Sequence, residues 1–214
     1  MSILQVNNRT NVQWGGELRS KENNITRIYS LNLNGIALDR RGGQFDTLCC
    51  TAREIQADVV CCQEINVDTT NATVKSLLYQ TENQHWPRSR LQFGSTEVSF
   101  TNWYKPGGTL MISTGNITGR IQAQNSDHMG RWVSQTFTTK VTIVSAYQVA
   151  TDNPHAGLTT ATSQQRSMHT QAQDTIVVPR KAYKRDVWEF IRTRREQGEE
   201  ILIVGDFNES VDGP

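Results

Sequence analysis

Apolar and polar positions alternate with a period of two from Thr26 to Leu33 (TRIYSLNL), which predicts a strand running into a turn at Asn34 and Gly35. The period then changes. Phe45, Leu48, Cys49, Ala52 and Ile55 recur in steps of three and four, so FDTLCCTAREIQA reads as an amphipathic helix with one core face. Asp58 turns the chain into VVCCQE, an unbroken apolar run closed by two polar residues, which suits a strand buried on both faces. Strand, helix and strand within about forty residues form a βαβ unit, whose strands are parallel.

Further along, a second helix is expected to start near Asp68 as its cap, with Val74, Leu77 and Leu78 turned inward. Strand-like runs follow at Leu91 to Phe100, at GTLMIS, at Arg131 to Thr139 and at Val141 to Tyr147. Pro106, Gly107 and Gly108 supply a turn among them, and the set reads as an antiparallel meander. Ala150 to Thr175 is polar and irregular, with a short helix within Ser163 to Gln173. Pro179 opens a helix whose inward face is read as Tyr183, Val187, Trp188 and Ile191, and Gly198 closes it. A last apolar strand, Ile201 to Val204, delivers GDFN. These elements predict an α/β fold, a layered sandwich of two mixed β-sheets flanked by helices. Residues 1 to 24 lack periodicity and read as a flexible leader, leaving 25 to 214 as one domain.

Composition narrows the function classes. A net charge of +1 over 214 residues excludes a domain that binds nucleic acid through bulk basicity, so any basic surface is local. No apolar run approaches the roughly eighteen residues of a membrane span, and the polar N-terminus offers no secretory apolar region. The expectation is an intracellular protein, nuclear or cytoplasmic, without a membrane partner. The cysteines form adjacent pairs, Cys49 with Cys50 and Cys61 with Cys62, not a C-x-x-C spacing, and are read as reduced, buried residues.

Candidate chemistry gathers where apolar strands end: Asn32 and Asn34, Glu64, Tyr147, and Asp206 with Asn208. Phosphodiester hydrolysis needs charge neutralised on phosphoryl oxygens, a water held in line and a stabilised leaving oxygen, and carboxylates, amides and a bound cation supply these. Plainer roles exist for each. Asn34 is also a turn former ahead of Gly35, Tyr147 a core aromatic, Glu64 a solvated strand end, and Asp206 with Asn208 an Asx-type turn. The helix after Pro179 is locally basic, and Arg180, Lys181 and Lys184 are candidates for phosphate contact or simply for a solvated face. Trp103, Tyr104, Lys105 and Arg131, with Trp132, offer phosphate or stacking contacts, or core packing.

SLNLNG, ADVVCCQE, GGTLMIS, HMGRW, VSAYQV and IVGDFNE, in this order, resemble the endonuclease/exonuclease/phosphatase superfamily, from about Arg27 to Asn208. The GDFNE variant and the polar stretch before a basic helix look most like endonuclease domains of non-LTR retrotransposons. The resemblance implies Mg2+ or Mn2+ on Glu64, Asn32 beside it, Asp206 orienting or deprotonating water, Asn208 holding that water or a phosphate oxygen, and Tyr147 on the phosphate or leaving group. Asn34 stands where many relatives have Asp, which removes a charge from the metal site. DNA is the implied partner, with a reverse transcriptase downstream in the parent element. The family's C-terminal Ser-Asp-His segment has no counterpart after Asn208, so the domain is expected to be C-terminally incomplete, inactive or very weakly active, and exposed along a sheet edge. The alternatives are a phosphomonoesterase of the same superfamily and a retroelement remnant that binds metal or nucleic acid without turnover.

Overall fold

In a computed structural model that describes residues 20–37, 43–94 and 105–209, the βαβ unit forms as the pattern requires. Strand β1 (Ile28–Asn32) and strand β2 (Val59–Gln63) are parallel, with Ile28 opposite Val59 and Asn32 opposite Gln63, and helix α1 (Gly43–Glu54) connects them. Every residue of β2 is buried. The leader through residue 19, residues 95–100 of the next strand-like run, and Trp103 with Tyr104 lie outside the described residues.

Helix α2 (Ala72–His85) is capped by Asn71 and not by Asp68. The Asn71 side-chain oxygen accepts from the N–H groups of Thr73 (2.9 Å) and Val74 (3.3 Å). Asp68 is occupied by a turn, accepting from the Thr70 N–H at 2.9 Å and its hydroxyl at 2.6 Å, and by an ion pair with Lys105 at 3.1 Å. Strand β3 (Ser89–Gly94) and strand β4 (Thr109–Thr114) complete a first sheet of order β1-β2-β4-β3.

The second sheet, of order β5-β6-β7-β8, holds a true meander. Strand β5 (Ile121–Ser126), reached through a short 3₁₀ helix (Gly115–Arg120), pairs antiparallel with β6 (Trp132–Phe137), and β6 with β7 (Val141–Tyr147). The sequence pattern alone did not indicate β5. Helices α3 (Ala161–Gln171) and α4 (Pro179–Glu196) precede β8 (Glu200–Asp206), which runs parallel to β7 and places Tyr147 opposite Asp206. Among the described residues, no helix is long and apolar enough to cross a membrane.

Period-two alternation sorts the side chains into three layers. Val60, Cys62, Leu110 and Ile112 face α1 and α2, packing on Leu48, Cys49, Val74 and Leu78. Their neighbours Val59, Cys61 and Met111 turn the other way and meet Val133, Phe137 and Ile143 of the facing sheet. Each such burial stabilises by roughly 1.5–3 kcal/mol relative to exposure. Outside the second sheet, α4 packs Tyr183, Val187 and Phe190 on Trp132, Val144 and Ala146. Trp188, expected on that stripe, is 69% exposed because it falls a step of one after Val187, off the spacing of 183, 187 and 190.

The cysteines are free, with Cys49, Cys61 and Cys62 buried and Cys50 half-buried. Burial pushes the Cys49 thiol up to about 12, with help from nearby Asp46 and Glu82.

Gly205 is the residue the β7–β8 pairing depends on. A Cβ there would lie 1.9 Å from the Ala146 carbonyl oxygen, a backbone atom that cannot step aside. Gly205→Ala should therefore cost on the order of 3 kcal/mol in urea denaturation. A variant as stable as the parent would contradict this strand pairing.

Candidate active site at the strand ends

Two parallel pairs, β1–β2 and β7–β8, end at the same rim, one in each sheet. At the end of β1, the Asn32 side-chain oxygen accepts from the Asn34 N–H at 2.9 Å. Asn34 itself adopts the left-handed conformation (φ 48°). The end of β8 repeats the turn: Asp206 Oδ1 accepts from the Asn208 N–H at 3.0 Å, and Asn208 has φ 47°. Both are Asx turns, and asparagine tolerates the left-handed region better than most residues.

The two turns meet. Asn32 Nδ2 donates to Asp206 Oδ2 at 2.7 Å, a contact between residues 174 positions apart in the chain. Beside it, the Tyr147 hydroxyl donates to Glu64 Oε1, linking the ends of β7 and β2. Four of the residues singled out in the sequence thus form two hydrogen-bonded pairs, each spanning the gap between the sheets. Glu64 also has a positive φ of 51°, and its carbonyl accepts from Gly35 N–H at 2.6 Å, which ties the β1 turn to the β2 end.

Gln148, which sequence reasoning passed over, holds the GDFN segment. It is buried, and its N–H donates to the Asp206 carbonyl at 2.9 Å while its carbonyl accepts from Asn208 Nδ2 at 2.7 Å. Its amide also donates to the Phe207 carbonyl and to Glu209 Oε1, both at 2.9 Å. The signal was present: a polar residue directly after the strand-final Tyr147, ahead of the buried Val149. Asn66 does similar work at the other end, accepting from Gly107 N–H at 2.7 Å and so anchoring the Pro106–Gly108 turn beside the Tyr147 ring.

The basic candidates divide. Arg180 donates to the Val149 and Ala150 carbonyls (2.8 and 3.0 Å), to the Asn208 carbonyl at 2.9 Å and to Glu209 at 2.8 Å, so it clamps the exit from β8. Lys184 pairs with Glu209 at 2.8 Å, and Lys181 is exposed on the same helix. Arg131 meets a different environment from the one expected of a phosphate contact. It is 1% exposed and held by Asp127 (2.8 and 2.9 Å) and Asp186 (2.7 Å). Burial works against its charge, but these carboxylates more than compensate and raise its pKa. The side-chain ion-pair partners of His85, His128 and His169 are Asp46, Asp127 and Asp174.

The rim offers oxygen donors, a half-buried Glu64 carboxylate and the Asn32 amide oxygen, whose chemistry suits a hard divalent cation better than a soft one. No protein-family model matches the chain, and no curated protein matches it. In structure it is similar to an endonuclease/exonuclease/phosphatase family protein from Leptotrichia buccalis, at 16% identity and a TM-score of 0.42 over 71% of this chain and 64% of that one. It is also similar to TDP2 from C. elegans (13% identity, TM-score 0.49, 86% of this chain and 48% of that one). A third likeness is to the 3′ phosphatase NExo from Neisseria, solved with a product DNA hairpin (13%, 0.47, 86% and 58%). The chain spans less than two thirds of the length of each.

Hydrogen bonds from Lys184 and Gln148, aided by Arg180, hold the Glu209 carboxyl down at about 2. A depressed carboxyl stabilises the fold above its unfolded pKa, near 4.3, and that contribution is lost as pH falls toward about 2. The stability difference between parent and Glu209→Gln should thus be full at pH 6 and shrink steadily below about pH 4. Chemical denaturation at several pH values measures it; a gap independent of pH would show that Glu209 does not clamp the loop.

Proposed function

We propose that the chain is a member of the endonuclease/exonuclease/phosphatase superfamily and hydrolyses phosphodiester bonds in DNA with Mg2+ or Mn2+. The observation that carries this reading is the pairing of Asn32 with Asp206 and of Tyr147 with Glu64 across the rim between the two sheets. A bound dication would neutralise charge on a phosphoryl oxygen and act as a Lewis acid. Glu64 would hold it, with the amide oxygens of Asn32 and Asn34 beside it.

The remaining groups act directly. Asp206, fixed by the Asn32 amide and the Asn208 N–H, orients a water and takes its proton. Asn208, anchored through Nδ2 on the Gln148 carbonyl, keeps its amide oxygen for that water. The Tyr147 hydroxyl moves between Glu64 and a phosphate or leaving oxygen. Lys181 and Lys184, solvent-facing on α4, suit contact with a DNA backbone, whereas Arg180 serves the loop.

Slow turnover by the chain alone is part of the proposal. Asp206 is shared between two hydrogen-bond donors, and the side chains of His85, His128 and His169 pair with carboxylates outside the rim constellation. An intracellular retroelement setting, with a reverse transcriptase in the parent element, is the context that the GDFNE variant and the basic α4 support. Nicking of supercoiled plasmid in Mg2+, with an EDTA control, tests the assignment. Glu64→Ala with Asp206→Ala should lower the rate by at least about a hundredfold. Equal nicking by the folded double variant would overturn it.

A further inference from the structure

We propose that Asp46, Cys50 and His85 form a second metal site, selective for a borderline transition dication such as Zn2+, that clips α1 to α2 on the outer helical layer. One ligand atom from each of the three lies within 4.8 Å of the others. Asp46 and Cys50 are four apart on α1 and so share a face, and His85 ends α2 against it. Tetrahedral Zn2+ bonds of roughly 2.0–2.3 Å place ligand atoms about 3.3–3.8 Å apart, within reach of this cluster. The donor set is imidazole, thiolate and carboxylate, which distinguishes it from the oxygen donors at the strand ends.

A plain ion pair explains part of the arrangement, since His85 Nε2 lies 2.7 Å from Asp46 Oδ1. It leaves two buried atoms stranded. Among the described residues, the Nδ1 of the 9%-exposed His85 side chain has no partner, and neither has Oε1 of Glu82, three residues earlier on α2 and 3% exposed. With the ring proton on Nε2 and Glu82 ionised, both stranded atoms are acceptors and cannot satisfy each other. Ligation through Nε2 would move that proton to Nδ1 and make it a donor, and Glu82, one helical turn earlier, is the one carboxylate on α2 that could accept it. A doubly protonated ring would also donate from Nδ1, but it gives Cys50 no role.

The charge balances as well. Binding releases the Cys50 thiol proton to solvent, and one thiolate with one carboxylate neutralises the dication. Cys49, fully buried in the core between the helices and the first sheet, is not drawn in. A fourth position is left for water.

The whole chain, freed of metal with EDTA and desalted, can be titrated with Co2+ as an optical stand-in. The expected result is a thiolate-to-cobalt charge-transfer band that saturates at about one equivalent and is displaced by Zn2+. Cys50→Ser should abolish the band with an unchanged circular dichroism spectrum, and Glu64→Ala should leave it intact. Glu82→Gln should weaken Zn2+ binding roughly tenfold. Absence of the band in the folded parent chain, or its survival in Cys50→Ser, would overturn the proposal.

Discussion

One buried amide sets where everything at the rim falls. Gln63, the last residue of β2, donates from Nε2 to the Ser145 hydroxyl of β7 at 3.0 Å, and that hydroxyl donates on to the Cys62 carbonyl at 3.2 Å. Between sheets held otherwise by Val59, Cys61, Met111, Val133, Phe137 and Ile143, an apolar interface is nearly indifferent to sliding. A buried polar group is not, because leaving Gln63 unpaired would cost about 1–3 kcal/mol. Its hydrogen bond fixes β2 against β7, and one residue further along Glu64 meets Tyr147. A second bridge between Ser113 of β4 and Gln135 of β6 repeats the device away from the rim.

From that register the site follows by parity. Ser30 and Asn32, Cys61 and Gln63, Ser145 and Tyr147, and Val204 and Asp206 occupy alternate positions on the inner faces of their strands. The inner face is apolar in the middle of the sandwich and polar at the rim, so the residues that close each strand are the ones aimed across the gap. The two Asx turns, Asn32 to Asn34 and Asp206 to Asn208, then present matching groups from opposite sheets. Gln148 and Arg180 hold the second turn in place through four hydrogen bonds to its backbone and side chain, so the geometry does not rest on the exposed loop alone.

Much of this was legible in the chain, for identifiable reasons. β1 and α1 announce themselves because each has one hydrophobic period, β2 because it is an unbroken apolar run, and the strand-final polar residues stand out against the apolar residues before them. β5 was missed since its inward positions, Ile121, Ala123 and Asn125, carry only one large apolar side chain, Ile121, to signal the alternation. The choice of Asn71 over Asp68 as a cap depends on Lys105, far along the chain, claiming Asp68. Likewise the burial of Arg131 depends on Asp186 of α4, and the Asn32–Asp206 contact joins opposite ends of the domain. Local pattern encodes which residues end strands; which of them touch is decided by packing between sheets.

Paramagnetic broadening of amide NMR signals by substoichiometric Mn2+ tests most directly whether these strand ends make one oxygen-donor cation site. Broadening should centre on residues 32–35, 64–66 and 205–208 and be lost in Glu64→Gln. Broadening that ignores Glu64, or that is confined to α1 and α2, would contradict it.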